Sequence, residues 1–213
     1  MLQVKRFVVN PLGENCYLVW DEKRECAVID CGVSSEDKIN KIVQFIDENN
    51  LTPVLSLQTH MHFDHVWGLP HLYRIYGLRP QCHVGELNIY AEAADMARDL
   101  FGADIFQPMV PVQAYLTDGQ ELKVGDSVLQ VLHTPGHTPG GVSFYCAESK
   151  VLFSGDTLFQ GSVGRADLPG GDMEQELNSV RQRILSLPDD VTVYPGHGGS
   201  TSVGEERMFN PYL

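Results

Sequence analysis

The sequence predicts an α+β fold in which a helix layer, two sheets and a second helix layer form one domain over residues 1–213. Two patterns support this prediction: short runs typical of strands precede an amphipathic helix in the first half of the chain, and the second half repeats that order. The 213 residues are 43% hydrophobic and 20% charged, which is a globular composition with enough length to bury a substantial core. We therefore expect a four-layer αββα sandwich with mixed or antiparallel sheets.

The first half begins with strands separated by turns. Turn residues at 11–15 and 21–24 divide three runs that are rich in apolar and β-branched side chains. Ser34 or Ser35 can then cap a helix, whose apolar face comprises Ile39, Ile42, Val43 and Ile46. The strands predicted here are residues 3–9, 16–20, 26–29 and 53–58.

The middle of the chain predicts two helices, at residues 69–76 and 86–100, on either side of a short strand at 81–84. The next stretch, residues 101–115, is less regular and contains prolines. Its apolar side chains would either lean over a binding site as a lid or pack within a surface loop. These side chains are Phe101, Phe106, Met109 and Tyr115.

The last third repeats strands and then a helix. Asp172 can cap this helix, whose apolar face comprises Met173, Leu177, Val180 and Ile184. The strands predicted here are residues 127–132, 142–146, 151–153 and 191–194.

Charge and cysteine content limit the class of protein. With 15 Lys and Arg against 28 Asp and Glu, the formal net charge is −13, which repels phosphate backbones and argues against a nucleic-acid partner. The N-terminus lacks the apolar core of a signal peptide, and no apolar run is long enough to span a membrane. The five cysteines are odd in number and form no CxxC pair, so we expect reduced thiols and a cytoplasmic protein.

The stretch Thr59–His65 holds four side chains that can bind a metal, directly after an apolar run. If the backbone stays extended, His60 and His62 point to the same side, because side chains alternate along a strand. Asp64 and His65 are adjacent, so both can face a second ion only if the chain bends there. The stretch therefore predicts a two-metal site at the C-terminal end of a strand.

Three later places complete the predicted site. His137 and His197 each follow Pro-Gly, a pair that suits a tight turn just beyond a strand. Asp156 ends a third strand, and its carboxylate can bridge two ions. The nitrogen-rich set without thiolates suits two divalent ions, zinc first, with iron or manganese as alternatives. The predicted ligands are His60, His62, Asp64, His65, His137, Asp156 and His197, whereas His71, His83 and His133 lack such settings.

These motifs resemble the metallo-β-lactamase-fold superfamily, and within it the glyoxalase II-like (hydroxyacylglutathione hydrolase-like) branch. The matching pieces, in the family's order, are THMHFDH (59–65), HTPGHTPGG (133–141), FSGDTLF (153–159) and YPGHG (194–198). The resemblance implies an αββα fold with one ion on His60, His62 and His137, a second ion on Asp64, His65 and His197, and Asp156 between them. It also implies that Asp30 orients ligands from outside the metal shell.

Departures from the motifs of other branches of the superfamily narrow the choice of branch. β-Lactamases of this fold usually lack the His65 position and the bridging aspartate, and diiron flavoprotein relatives usually carry Glu at the position of His62. Full-length glyoxalase II enzymes add a C-terminal helical domain that supplies glutathione-binding residues. We expect this chain, which ends at Leu213, to be a short form without that domain.

The resemblance implies hydrolysis of a small anionic thioester, such as an S-2-hydroxyacylglutathione, by a hydroxide that bridges the two ions. Asp64 would orient the nucleophile and accept its proton. Arg165 matches a basic residue that relatives use near the substrate, although a structural ion pair with Asp167 would explain it equally well. Two alternatives stay open: a mononuclear iron persulfide dioxygenase that uses His60, His137 and Asp156, and a lactone hydrolase.

Overall fold

Two six-stranded sheets lie face to face in a computed structural model that describes residues 1–102, 104–105 and 109–213. The first sheet has the order β1 (Gln3–Val8), β2 (Asn15–Trp20), β3 (Glu25–Ile29), β4 (Thr52–Leu57), β5 (Pro80–His83) and β6 (Ala114–Leu116). The second has the order β14 (Thr201–Ser202), β13 (Thr192–Pro195), β10 (Val151–Gly155), β9 (Val142–Cys146), β8 (Ser127–His133) and β7 (Glu121–Val124). A separate hairpin joins β11 (Leu158–Phe159) and β12 (Ser162–Val163).

Both sheets are mixed. The first sheet is antiparallel from β1 to β3 and parallel from β3 to β6. In the second sheet only β10 and β13 run parallel. The C-terminal ends of β4, β10 and β13 precede the predicted ligand segments, and these strands therefore set the position of the candidate site.

Helices cover the outer face of each sheet. The first sheet is covered by α1 (Glu36–Glu48), α3 (Leu69–Tyr76) and α4 (Leu87–Phe101), and a short α2 (Phe63–Val66) follows β4. On the second sheet lie α5 (Met173–Ser179), which continues as one π-helical stretch at Val180–Ile184, and α6 (Val203–Phe209). A 3₁₀ turn at Val84–Glu86 leads from β5 into α4.

Alternating side chains build the layers. In β3, Cys26 and Val28 pack toward α1, whereas Ala27 and Ile29 face the second sheet. Phe144 and Phe153 meet this inner face from the other side. Burying apolar area on both faces of each sheet is the main stabilising contribution to such a sandwich.

The predicted four-layer αββα sandwich with mixed sheets is confirmed, and most boundaries agree within two residues. Asp172 caps α5 as expected, by accepting a hydrogen bond from the Gln175 amide. Met173, however, is exposed, and Glu176 is buried in its place. The prediction missed the strands β6, β7, β11, β12 and β14 and the helix α6, because these elements are short and their apolar pattern is weak.

Residues 101–115 contain more regular structure than the sequence indicates. Phe101 ends α4 and packs against Phe63 and Trp67, and residues 114–116 form β6. Phe106 and Pro108, in the middle of the predicted lid, lie outside the described residues.

All five cysteines lie in the described part of the chain, where they are buried and form no disulfide. Within that part, no helix combines the length and the apolar character that a membrane crossing requires.

Candidate metal centre

The stretch after β4 changes conformation at His62. His62 itself is extended (φ −59°, ψ 147°), and α2 begins at the next residue. The chain therefore bends just before Asp64 and His65, as the two-metal prediction requires. The side chains of His60, His62, Asp64 and His65 are all buried.

Ligand-capable atoms of the described residues converge in three groups, of which one, Asp30 with His60 and His65, overlaps the other two. His60, His62 and His137 offer ring nitrogens within 4.8 Å of one another, and Asp64, His65 and His197 form a second group under the same limit. We call these the first triad and the second triad. They have the membership that the sequence resemblance implies for two ions.

Asp156 lies between the two triads. Its Oδ1 is 3.4 Å from His65 Nε2 in the second triad. Its Oδ2 is 3.7 Å from His137 Nε2 in the first triad and 3.7 Å from His197 Nε2 in the second. One carboxylate thus faces nitrogens of both groups.

The unpaired polar atoms in this region fit bound cations. Among the described residues, the Nε2 atoms of His60, His62 and His65 are buried without a hydrogen-bond partner, as is Asp156 Oδ1. Such atoms are costly to bury unless something binds them. In addition, His62 Nδ1 lies 2.9 Å from His137 Nε2, so two ring nitrogens meet directly. A nitrogen- and carboxylate-rich donor set of this kind suits zinc, iron or manganese.

Burial controls the charge state of two members of the first triad, His60 and His62. It lowers the pKa of His62 to about 3 and that of His60 well below its usual value. Both imidazoles are therefore neutral at physiological pH, which is the form that binds metal ions. In the second triad, burial opposes the charge on His65, but the carboxylates of Asp156 and Asp64 outweigh it and raise the pKa of His65.

Asp30 supports ligands of both triads from beneath. Its Oδ1 accepts the Thr59 amide at 2.7 Å, and its Oδ2 accepts the Thr59 hydroxyl at 2.6 Å and lies 3.1 Å from His65 Nδ1. The Thr59 hydroxyl in turn lies 3.1 Å from His60 Nδ1. Asp30 has a positive φ of 52°, an uncommon conformation for a residue with a side chain. This strained position lets one carboxylate orient histidines of both groups.

The His137 turn is held at two points. The His137 amide donates to Glu176 Oε2 at 2.7 Å, and its ring Nδ1 lies 2.7 Å from the Arg165 carbonyl oxygen, to which it can donate. Gly136 adopts a φ of 146°, and a Cβ there would lie 2.2 Å from the Glu176 Cα. The predicted reason for Gly, a positive φ, therefore applies at this turn.

The His197 turn is held from the first sheet. Asn15 Nδ2 donates to the carbonyls of Pro195 and Gly198, at 2.9 and 3.0 Å. At Gly196 the need for glycine is contact, since a Cβ would lie 2.1 Å from Asp156 Oδ1 and 2.7 Å from His65 Cε1. Positive φ, the reason expected from the sequence, does not apply at Gly196.

A cleft of about 810 Å³ opens onto both triads. One wall comes from α4, with Glu92, Asp95, Met96, Asp99 and Leu100, and the opposite wall includes Arg165, Leu168 and Pro169. The Arg165 side chain lines this cleft and also forms a two-point ion pair with Asp167, at 2.7 and 2.8 Å. Its backbone oxygen orients His137, a contribution that the sequence did not indicate.

The remaining histidines lie outside the two triads. His71 lies near Glu36, 3.5 Å away, and His83 stacks on His133 with ring centroids 4.3 Å apart. Sequence reasoning missed the polar residues that hold the ligand loops: Asn15, Thr59, Glu86 and Glu176. The sequence carries only weak signals of this role: Asn15 is a polar residue at the start of an apolar strand, and Glu176 lies beside the apolar face of a helix.

Comparison with known proteins agrees with this geometry. Residues 9–197 match the model of the metallo-beta-lactamase superfamily. The chain is 34% identical over 212 residues to the hydroxyacylglutathione hydrolase GloC of Haemophilus influenzae, covering 100% of this chain and 98% of GloC.

Two solved structures are also similar over almost their whole length. BLEG-1, described as a B3 metallo-beta-lactamase, has a TM-score of 0.90 and 33% identity over 99% of each chain. TTHA1623, in a di-iron-bound form, has a TM-score of 0.87 and 40% identity, covering 99% of this chain and 100% of that one. The chain therefore belongs to the metallo-beta-lactamase superfamily.

Proposed function

We propose that residues 1–213 form one domain that acts as a dinuclear metal-dependent hydrolase, and that its substrate is a small thioester such as an S-2-hydroxyacylglutathione. The observation that carries this proposal is the position of Asp156, whose carboxylate faces His137 of the first triad and both histidines of the second triad. The likeness to GloC over the full chain supports the same reaction class.

In this proposal the first triad holds one ion and the second triad holds the other. Bound divalent ions supply a hydroxide at neutral pH and polarise the carbonyl of the substrate. Zinc is the first choice for a set without thiolates, and iron is the alternative that the di-iron form of TTHA1623 supports.

The cleft residues have separate roles. Asp64, which lines the cleft 3.3 Å from His197 Nε2, orients the attacking water and accepts its proton. The α4 wall and Leu168 enclose the acyl group and exclude water. Arg165 binds a carboxylate of the substrate by a charge-assisted contact, in which the substrate carboxylate replaces that of Asp167.

The leaving group favours a thioester. A thiol has a pKa of about 8.5, so a thiolate departs at neutral pH without a strong general acid. Among the described residues that line the cleft there is no lysine or tyrosine to protonate a poorer leaving group. This argument disfavours an amide substrate and leaves lactones as the competing acyl class.

The test is a substrate panel on metal-replete protein. We expect measurable hydrolysis of S-lactoylglutathione and much slower turnover of a β-lactam, the competing substrate suggested by the likeness to BLEG-1. Zinc and iron forms should be assayed in parallel. If no thioester is hydrolysed and the iron form consumes oxygen with a persulfide, the protein is a dioxygenase and the proposal is wrong.

A further inference from the structure

Glu86 is a fully buried acid whose carboxylate joins two separate loops. It lies where the 3₁₀ turn at Val84–Glu86 meets α4, and its side chain is 0% exposed. Acidic residues at such positions often cap their own helix, but the Glu86 side chain makes no capping bond to α4. Its oxygens instead accept hydrogen bonds from distant parts of the chain.

Each oxygen of Glu86 has one backbone partner. Oε2 accepts the Met61 amide at 2.8 Å, and Oε1 accepts the Gly140 amide at 2.8 Å. Met61 lies between His60 and His62, and Gly140 lies three residues after His137. The carboxylate therefore connects the two loops that supply the three members of the first triad.

The backbone contacts at this junction are also close. A Cβ on Gly140 would lie 2.7 Å from the Glu86 amide nitrogen and 2.8 Å from the Gly85 carbonyl carbon. A Cβ on Gly85 would lie 3.0 Å from the Gly140 Cα. Glycine at both positions lets the 3₁₀ turn and the His137 loop approach until the Glu86 carboxylate reaches the Gly140 amide.

We propose that Glu86 is a positioning residue that sets the distance between the His60–His62 pair and His137, and thereby the affinity of the first triad for its ion. This inference rests on the proposed metal-dependent function. Among the described residues, Glu86 makes no hydrogen bond to Asp64, His65 or the His197 turn, and the first two lie beyond Met61 in α2. We therefore expect the effect to fall mainly on the ion of the first triad.

The test isolates each triad before changing Glu86. His197→Ala leaves the first triad intact, and His62→Ala leaves the second. In each background, metal-free protein is titrated with Zn²⁺ in a calorimeter, with and without Glu86→Gln. Gln keeps the size of Glu but can accept only one of the two amides, so one loop loses its contact.

We expect Glu86→Gln to weaken Zn²⁺ binding about 10–100-fold in the His197→Ala background and less than about threefold in the His62→Ala background, as expected for loss of a contact outside one metal shell. The matched control is Glu206→Gln. Glu206 is also buried and accepts the Gly161 amide at 2.9 Å and the Thr201 hydroxyl at 2.6 Å, but it contacts neither loop of the first triad. The Glu206→Gln variant should have a lower melting temperature and an unchanged affinity for Zn²⁺.

Equal losses in both backgrounds, or no loss in either, would overturn the role of Glu86. If Glu86→Gln does not fold, Gly140→Ala replaces it, because a Cβ at residue 140 pushes the His137 loop away from the Val84–Glu86 turn and from the Glu86 carboxylate, and should give the same selective loss. Failure of the proposed function is distinguishable, since a parent protein that binds no Zn²⁺ at either triad would contradict the metal centre itself.

Discussion

The two Pro-Gly-His turns share three residues but hold their histidines differently. The side chain of His137 is 7% exposed, and its turn is held by Glu176 and by the Arg165 carbonyl. The side chain of His197 is 27% exposed, and its ring Nδ1 has one contact in the described structure, the Leu12 carbonyl oxygen at 3.2 Å. The similar sequences therefore place one imidazole in a buried, closely held position and the other in a more exposed one.

This difference indicates unequal metal sites. Ligands that are oriented by several hydrogen bonds lose less freedom when they bind an ion. The first triad has that support, since Glu176 and Glu86 hold the His137 loop and the Arg165 carbonyl faces the ring at 2.7 Å. In the His197 turn, the side chains of Asn15 and Tyr17 bond backbone carbonyls and do not orient the imidazole. We expect the first ion to be bound more tightly than the second.

The largest expected effect comes from removing the residue that the two triads share. Asp156→Ala should lower kcat/KM by more than about 100-fold, since loss of a bridging ligand should exceed the loss seen for residues outside a metal shell. Steady-state kinetics on S-lactoylglutathione measure this. His71→Ala is the control and should change the rate little. Equal, mild effects of both changes would contradict the bridging role.

Metal removal should separate the two triads. During dialysis against a chelator, the ion of the second triad should leave first, because the His197 ring is more exposed than the His137 ring and has a longer orienting contact. Samples taken over time and analysed for metal should pass through a stage with one ion per chain. In the His62→Ala variant the first triad binds its ion more weakly, so the intermediate with one ion per chain should not accumulate. Simultaneous loss of both ions would mean that the two turns are equivalent.

Alanine at the two turn glycines should have different consequences. Gly136→Ala places a side chain at φ 146° and against the Glu176 backbone, so it should cost about 1–3 kcal/mol of stability or more. Gly196→Ala adds no such strain, but its Cβ would meet Asp156 and His65. The Gly196→Ala variant should therefore bind metal more weakly, while its free energy of unfolding changes little. Urea denaturation and metal titration of both variants test this contrast.

The smallest expected effect concerns Arg165. Because its side chain is exposed and paired with Asp167, Arg165→Ala should raise KM for an anionic thioester less than about tenfold, with kcat and metal content unchanged, as for loss of uniform binding. A neutral thioester is the control substrate and should be unaffected. Equal changes for both substrates would mean that the ion pair only holds the loop.

Much of the fold could be predicted because the strands and helices carry strong periodic patterns. The apolar face of α1 and the continuous apolar run of β3 appear directly in the sequence, and such a run indicates a strand buried on both faces. The short β6 and α6 have too few residues for such a pattern, and Met173 was misplaced because the burial of Glu176 depends on a contact with a distant loop.

The candidate ligands could be located because each follows a strand within a compact motif. Their supporting residues could not, since that role depends on contacts between distant parts of the chain. Glu86 meets Gly140, and Asn15 meets Pro195. Nothing near either residue in sequence indicates these partners. The same limit explains why Arg165 was linked to substrate through its side chain while its backbone contact with His137 went unseen.

Metal content measures the central claim most directly. The protein, expressed with zinc and iron both available and then saturated, should contain close to two ions per chain by elemental analysis, because seven ligand side chains exceed the needs of one tetrahedral ion. His197→Ala should reduce this to one. A saturated content of one ion that neither His65→Ala nor His197→Ala changes would contradict the dinuclear centre.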